Sequence, residues 1–221
     1  NLHIGIILQS QGNHQKAINH FKSINKKFGN SAETLNNIGN SYSALGEFDK
    51  SYDNYIAAID ASPKLAVTHI NLGNLLRNNA KYNDALKSFK KAMKLNPKDP
   101  RAYNGVGLVY QSLNKEELAI KAYKKAYDLE PDYPEALNNL AVSLQNLGKY
   151  YESIAIYKKL IDKHPDKSQI YFNLGTLLQL YGRHDESVTA FKSTLFCLQS
   201  NGVGTIMNMK SESINESIKG S

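Results

Sequence analysis

Small and large apolar residues of this chain recur with a period of 34 residues. One phase of the period, called the landmark position below, holds glycine in five of the six periods and alanine in the other: Gly5, Gly39, Gly73, Gly107, Ala141 and Gly175. Large apolar residues surround each landmark at intervals of three and four, the spacing that places side chains on one face of an α-helix. A period of this length and composition predicts a stack of helical hairpins.

Each period contains two helical patterns separated by a turn. In the third period the second pattern contains Tyr82, Ala85, Phe89 and Ala92. Between the patterns, glycine recurs where a helix can end in the left-handed conformation: Gly46, Gly148 and Gly182. Prolines separate the periods: Pro63, Pro97, Pro131 and Pro165. We expect the aromatic residues of the second patterns, Phe89 and Tyr123 among them, to be buried between hairpins.

These residues resemble the tetratricopeptide repeat (TPR) family, whose pattern is W-x₂-L-G-x₂-Y…A-x₃-F…P. The third period matches it with Leu72, Gly73, Leu76, Ala85, Phe89 and Pro97. The family's tryptophan is absent, and other residues stand in its place: Leu35, His69, Tyr103, Leu137 and Tyr171. The resemblance covers residues 1–201. It implies an all-α, right-handed α-solenoid of about six helix-turn-helix repeats.

The chain divides into this repeat region and a short C-terminal segment. The first repeat is truncated, because the chain begins at Asn1, inside a period and without methionine, and we expect a fragment or a processed product. Residues 202–221 break the pattern, and residues 209–221 are rich in Ser, Asn and Lys. Apolar residues there fit one side of a short helix: Ile206, Met207, Met209, Ile214 and Ile218. Two interpretations stay open, a capping helix over the last repeat and a flexible tail.

Composition indicates a cytoplasmic protein. No apolar run approaches the roughly 18–20 residues that span a bilayer, and the N-terminus has no secretory signal pattern. The single cysteine, Cys197, excludes an internal disulfide and is compatible with a reducing compartment.

Nothing in the sequence predicts catalysis, a metal site or a cofactor. The six histidines are scattered and form neither an H-E-x-x-H motif nor a Cys/His cluster. No phosphate-binding glycine loop is present, since Gly105 and Gly107 lie inside a helical pattern. We therefore expect a non-catalytic protein.

Amide side chains recur at fixed phases of the first helix, which in the TPR family faces a concave groove. They lie two residues before the landmark or one and four residues after it, and Arg77 shares the last phase: Asn37, Asn40, Asn71, Asn74, Arg77, Gln111, Asn139, Gln145, Asn173 and Gln179. Each amide offers two donors and an acceptor, which suits an extended main chain. The hypothesis is a scaffold that binds a peptide or protein segment in this groove.

The asparagine series also resembles the ladder in the repeat domain of O-linked N-acetylglucosamine transferases. The alternative is therefore the substrate-recognition arm of a larger enzyme such as a glycosyltransferase. Gly105 would be a missing rung of that ladder. Chaperone-binding repeats instead carry lysine three residues before the landmark, where this chain has Asn36, Ile70, Asn104 and Asn138.

A row of lysines supports a lesser alternative, binding to an anionic surface or to nucleic acid. One lysine per repeat follows the second-helix aromatic, except in the second repeat: Lys22, Lys90, Lys124, Lys158 and Lys192. Without interleaved aromatics, we do not expect nucleic-acid binding, and we expect no membrane partner. At the N-terminal end, Ile4 and Leu8 lack a preceding helix, which predicts self-association there or contact with an upstream segment.

Overall fold

The computed structural model describes residues 2–200, which form twelve α-helices and no β-strand over that range. The helices are α1 (Leu2–Ser10), α2 (His14–Phe28), α3 (Ala32–Ala44), α4 (Phe48–Ala61), α5 (Ala66–Asn78), α6 (Tyr82–Leu95), α7 (Pro100–Ser112), α8 (Glu116–Leu129), α9 (Pro134–Asn146), α10 (Tyr150–Lys163), α11 (Ser168–Leu180) and α12 (His184–Ser200). The interpretations of residues 202–221 lie outside the described residues.

The chain forms two compact units, residues 1–113 and residues 114–221. In the first unit, α1–α2, α3–α4 and α5–α6 pack as pairs, and each second helix also contacts the first helix of the next pair. In the second unit, α9–α10 and α11–α12 pack as pairs, α8 contacts α9, and α10 contacts α11. The predicted all-α fold of stacked hairpins is confirmed within each unit.

The turn inside each hairpin contains one residue with positive φ. Glycine holds it at Gly12, Gly46, Gly148 and Gly182, with φ of 74°, 74°, 71° and 78°. Ala80 and Asn114 take the same place with φ of 57° and 55°. Because the left-handed conformation is strained for a residue with a Cβ, alanine at position 80 is held there by the hairpin rather than by its own preference.

The landmark glycines let the two helices of a pair approach closely. A Cβ added to Gly73 would lie 2.8 Å from the Phe89 ring, a distance that real side chains do not adopt. Equivalent contacts close three other pairs: Gly5 with Phe21, Gly39 with Tyr55, and Gly175 with Phe191. Phe89 and Tyr123 are both 0% exposed, so the prediction that these aromatics are buried is confirmed.

A buried serine strengthens this contact in three repeats. Ser51, Ser153 and Ser187 lie twelve residues after the landmark and donate their hydroxyls to its carbonyl oxygen, at 2.9, 2.7 and 2.9 Å. The acceptors are the carbonyls of Gly39, Ala141 and Gly175. A buried hydroxyl is tolerated because it is hydrogen-bonded. The TPR pattern has alanine at this position, as Ala85 shows, so sequence comparison alone did not reveal the hydroxyl's partner.

The N-terminal helix α1 exposes apolar side chains. Ile4 and Ile7 are 51% and 54% exposed, whereas Ile38 at the register of Ile4 is 1% exposed. Leu8 is half-buried. Self-association at this end stays a prediction. None of the helices within residues 2–200 is long and apolar enough to cross a membrane.

Candidate peptide-binding groove

A cleft of about 390 Å³ lies over the first helices of the first unit. Its lining comes from α3, α5, α7 and the residue that precedes α5: Glu33, Asn36, Asn37, Asn40, Leu65, Val67, Asn71 and Arg101. Three of the predicted groove residues, Asn37, Asn40 and Asn71, therefore meet in one cavity.

Helical register explains why these side chains converge. Glu33, Asn37 and Asn40 are spaced by four and three residues, so they share one face of α3. Val67 and Asn71 are spaced by four on α5 and face the same way. Since α3 packs on α5 and α5 on α7, the polar faces of successive first helices form a continuous floor in this unit.

Two of the predicted asparagines bridge consecutive repeats. The Nδ2 of Asn71 donates to Oδ1 of Asn36 at 3.0 Å, and the Nδ2 of Asn173 donates to Oδ1 of Asn138 at 2.7 Å. Gln169 also donates to Oδ1 of Asn173 at 2.9 Å. An amide can make further hydrogen bonds, so these bridges hold the side chains in place without using their whole capacity.

Asn40 is oriented by a tyrosine beneath the groove. The hydroxyl of Tyr55 donates to Oδ1 of Asn40 at 2.7 Å. Burial raises the pKa of Tyr55 to about 12, so the phenol keeps its proton and remains the donor. Because the amide oxygen of Asn40 accepts from the phenol, the NH₂ group of Asn40 points elsewhere and keeps its two donor hydrogens for other acceptors.

Other predicted residues have unused hydrogen-bonding groups. Within residues 2–200, the side chains of Asn37, Asn74, Gln145 and Gln179 make no hydrogen bond to the protein, and all four are half-buried. The buried Nε of Arg77 has no acceptor in the same range. Gln111 and Asn139 are half-buried and already have interactions of their own.

The predicted residues of the second unit lie on its first helices. Asn139 and Gln145 belong to α9, and Asn173 and Gln179 belong to α11. They therefore occupy the same register in their helices as the residues that line the cleft of the first unit.

Gly105 stands where the asparagine series is interrupted, and packing explains the interruption. A Cβ at Gly105 would lie 2.3 Å from the Phe89 ring. Phe89 therefore packs against two glycines, Gly73 in its own repeat and Gly105 in the next first helix. No larger side chain fits at position 105 without moving this ring.

Sequence reasoning missed several residues of the site. Asn36 and Asn138 were identified only as positions without lysine, although each precedes its partner asparagine by 35 residues. Gln9 is another such residue, and its Nε2 donates to the carbonyl of Asn37 at 2.8 Å and to the hydroxyl of Ser41 at 2.7 Å. The 34-residue spacing of Glu33, Val67 and Arg101 was the available signal for the rim of the cleft.

The charges at the cleft are few and partly compensated. Asp99 caps α7 by accepting from the backbone N–H of Arg101 at 3.0 Å, and its carboxylate also accepts from Nε and Nη2 of that arginine at 2.9 and 2.6 Å. The guanidinium holds the pKa of Asp99 below its usual range. Glu33 makes no ion pair within the described residues. In that part of the chain, no group of three His, Cys, Asp or Glu residues could hold a metal ion.

Solved structures with a similar fold include several TPR proteins. MamA is 27% identical over 74% of this chain and 96% of its own, with a TM-score of 0.64. A thermophilic TPR protein from Thermus thermophilus is 23% identical, covers 80% of this chain and 97% of its own, and has a TM-score of 0.71. YrrB, described as a TPR protein with an unusual peptide-binding site, is 16% identical, covers 87% and 97%, and has a TM-score of 0.58. The last two likenesses concern the fold alone.

Family models described as tetratricopeptide repeat match four consecutive segments of the chain. The segments are residues 1–31, 32–65, 70–136 and 132–196. No curated protein matches the chain significantly. The models span nearly all of the described helices, and the architecture agrees with them: the chain belongs to the tetratricopeptide repeat family, and its fold is an α-solenoid of TPR repeats.

Proposed function

We propose that this protein is a non-catalytic scaffold that binds an extended peptide segment in the cleft over α3, α5 and α7. The observation that carries the proposal is the convergence of Asn37, Asn40 and Asn71 in one cavity of the first unit. TPR proteins are in general protein-interaction scaffolds, which favours a protein ligand over a small molecule. The peptide-binding site named for YrrB supports the same class of ligand.

The chemistry of the cleft suits a main chain. An extended peptide presents alternating N–H and C=O groups, and each loses its water when it binds. Asn40 supplies donors for a carbonyl, and the unpartnered amide of Asn37 supplies both a donor and an acceptor. Leu65 and Val67 offer apolar contact to a side chain of the ligand. Each amide contact contributes about 0.5–1.5 kcal/mol, so several must act together.

Peptide display against the full chain, followed by single substitutions, tests this function. Asn37→Ala should weaken the selected peptides by about 2- to 12-fold, the equivalent of one lost hydrogen bond. Asn37 is the preferred target because its side chain makes no internal bond, whereas Asn71→Ala and Asn173→Ala would also break inter-repeat bridges. A joint change of Asn71, Asn139 and Asn173 therefore mixes ligand binding with stability.

Asn83→Ala is the matched control, since Asn83 is exposed on the second helix α6, outside the cleft. It should leave the affinity unchanged. Equal affinities of Asn37→Ala, Asn74→Ala and the parent chain, with unchanged unfolding midpoints, would exclude the groove as the binding site.

The alternative in which the chain is the recognition arm of a larger enzyme, related to O-linked N-acetylglucosamine transferases, remains a hypothesis. Reading the gene on both sides of this segment for a catalytic domain tests it. The cytoplasmic location also remains a prediction.

A further inference from the structure

The net charge of the chain is distributed unequally between its two units. Residues 1–113 contain 14 basic and 7 acidic residues, and residues 114–221 contain 13 of each. The whole formal charge of +7 therefore belongs to the first unit. Its first helices contribute little to it, since α1, α3, α5 and α7 together carry only Glu33, Arg77 and Arg101.

Helices α2 and α6 carry the largest shares of this charge: α2 has four lysines over twelve positions and no acidic residue, and α6 has four lysines within eight positions on its outer face. The four lysines of α6 are exposed there, called the α6 lysine stripe below: Lys87, Lys90, Lys91 and Lys94. Asp84 is the one acidic residue of α6, and it pairs with Lys87 at 2.9 Å. Within the described residues, Lys90, Lys91 and Lys94 have no ion pair.

The lysine side chains of the stripe repel one another. Lys87 and Lys91 are four residues apart, as are Lys90 and Lys94, and Lys91 and Lys94 are three apart, so each pair faces one another on the helix surface. Like charges at these spacings destabilise a helix. The positive charge of Lys91 also acts on His69 of α5. Burial is the main cause that lowers the pKa of His69, and the charge of Lys91 lowers it further.

Helix α8 carries lysines at the equivalent positions together with as many acidic residues, although within the described residues these lysines form no ion pair either. Lys121, Lys124 and Lys125 stand 34 residues after Lys87, Lys90 and Lys91. There Glu117 precedes Lys121 by four residues, and Asp128 follows Lys124 by four, in the position that corresponds to Lys94. Opposite charges at that spacing stabilise a helix. The excess charge on α6 is therefore not a requirement of the repeat.

We infer that the α6 lysine stripe is a docking surface for an acidic segment of a partner protein. The stripe extends about 10 Å along the helix, which corresponds to two turns of a facing helix with Asp or Glu on one side. A partner of that charge relieves the repulsion that the chain itself leaves uncompensated. This surface belongs to a second helix, so the inference is independent of the groove formed by the first helices.

Protein is the partner class that the observations favour over nucleic acid or a membrane. The stripe residues are separated by no exposed aromatic side chain on which a base could stack. The face also exposes no large apolar residue that could insert into a lipid surface, since Leu86 and Met93 of the same helix are half-buried. Protein binding is the general role of the family.

Fluorescence anisotropy with a labelled glutamate-rich peptide of about 12 residues, long enough to span the stripe, tests the inference on the full chain. A peptide with glutamine in place of glutamate is the matched probe. The double variant Lys90→Gln/Lys91→Gln should weaken binding of the acidic peptide about fivefold, as expected for two exposed charge pairs. The matched double variant Lys124→Gln/Lys125→Gln removes the same charge and should change the affinity less than about twofold. Added salt should weaken binding to the parent chain.

Thermal unfolding separates loss of binding from loss of fold. The α6 double variant should unfold at the same temperature as the parent or higher, because repulsion has been removed. Equal losses in the two double variants, or equal binding of the glutamate and glutamine peptides, would overturn the inference. A short DNA duplex or phosphatidylserine vesicles would be the better partner if the parent chain bound them more strongly than the peptide and the α6 double variant abolished that binding. That result would also overturn the inference.

Discussion

The helix pair α5–α6 of the first unit and the helix pair α11–α12 of the second unit pack through the same kind of contact, between a glycine and an aromatic ring. In one, a Cβ on Gly73 would lie 2.8 Å from the Phe89 ring, and in the other a Cβ on Gly175 would lie 2.7 Å from the Phe191 ring. Both aromatic rings are almost fully buried. In both helix pairs, the contact between the glycine backbone and the aromatic ring therefore sets the distance between the two helices.

The two pairs differ in the residue beside that contact. Ala85 is buried in α6, whereas Ser187 is buried in α12 and donates its hydroxyl to the Gly175 carbonyl at 2.9 Å. The position therefore requires a small side chain but not an apolar one. A hydroxyl is accepted because the close approach that demands a small residue also brings a backbone carbonyl within reach.

Removing the rings should have the largest effect on both pairs. Phe89→Ala and Phe191→Ala should each lower the free energy of unfolding by about 3–5 kcal/mol, measured by urea denaturation, because a large cavity remains. We expect the greater loss for Phe89, which also packs against Gly105. Phe28→Ala is the control, since Phe28 is 69% exposed. A loss below about 1 kcal/mol for Phe89→Ala would show that the ring does not fill the interface as described.

Adding a methyl group at the landmark tests the other half of the contact. Gly73→Ala and Gly175→Ala should each cost about 1–2 kcal/mol, because overpacking outweighs the better helix propensity of alanine. The fifth repeat accommodates Ala141 at this position, so we expect a cost at the lower end of the range that is usual for overpacked cores. The loss should shrink when Phe89 is simultaneously changed to leucine. An undiminished loss in that double variant would place the strain elsewhere.

Exchanging serine and alanine at the position where the two pairs differ should change the free energy of unfolding less, and by different amounts in the two pairs. Ser187→Ala should lower the free energy of unfolding by about 0.5–1.5 kcal/mol, the value of one hydrogen bond. Ala85→Ser should be nearly neutral, because its hydroxyl can reach the Gly73 carbonyl as Ser187 reaches that of Gly175. If Ala85→Ser proved more destabilising than Ser187→Ala, the two interfaces would differ in geometry as well as in composition.

The smallest expected difference between the two helix pairs is in how their stability depends on pH. His69 on α5 corresponds to Tyr171 on α11, and burial lowers the pKa of His69. The unfolded chain, with an ordinary histidine pKa of about 6.5, then takes up the proton first, so stability falls as pH decreases below that value. The fall ends below the pKa of the folded state. Unfolding midpoints at several pH values should show a weaker dependence in His69→Tyr than in the parent, and parallel profiles would contradict this account.

The sequence predicted the repeat architecture and its core because both depend on regular spacing. Phe89 and Tyr123 are buried as expected, since the register of a helix determines which face it buries. The cleft was predicted only in part. Asn37 and Asn40 line the cleft, and their role in binding stays a prediction. The sequence did not reveal Asn36 as the acceptor for Asn71, because that bond depends on the offset between two helices.

Gly105 illustrates the same limit. The sequence shows only that an amide is missing at this phase, and glycine is compatible with many causes. The cause is a distance between the backbone of α7 and the Phe89 ring, which no one-dimensional pattern records. The pairing of Asp99 with Arg101 is likewise a matter of side-chain geometry around a helix cap.

The bond between Asn71 and Asn36 makes the order of the repeats significant. Asn71 finds its acceptor three residues before the landmark of the preceding repeat. Its own repeat carries Ile70 at that place, which has no acceptor in its side chain. A tandem duplication of the third repeat would therefore set a second Asn71 against an isoleucine. The second and third repeats can be copied together without losing this bridge, but the third cannot be copied alone.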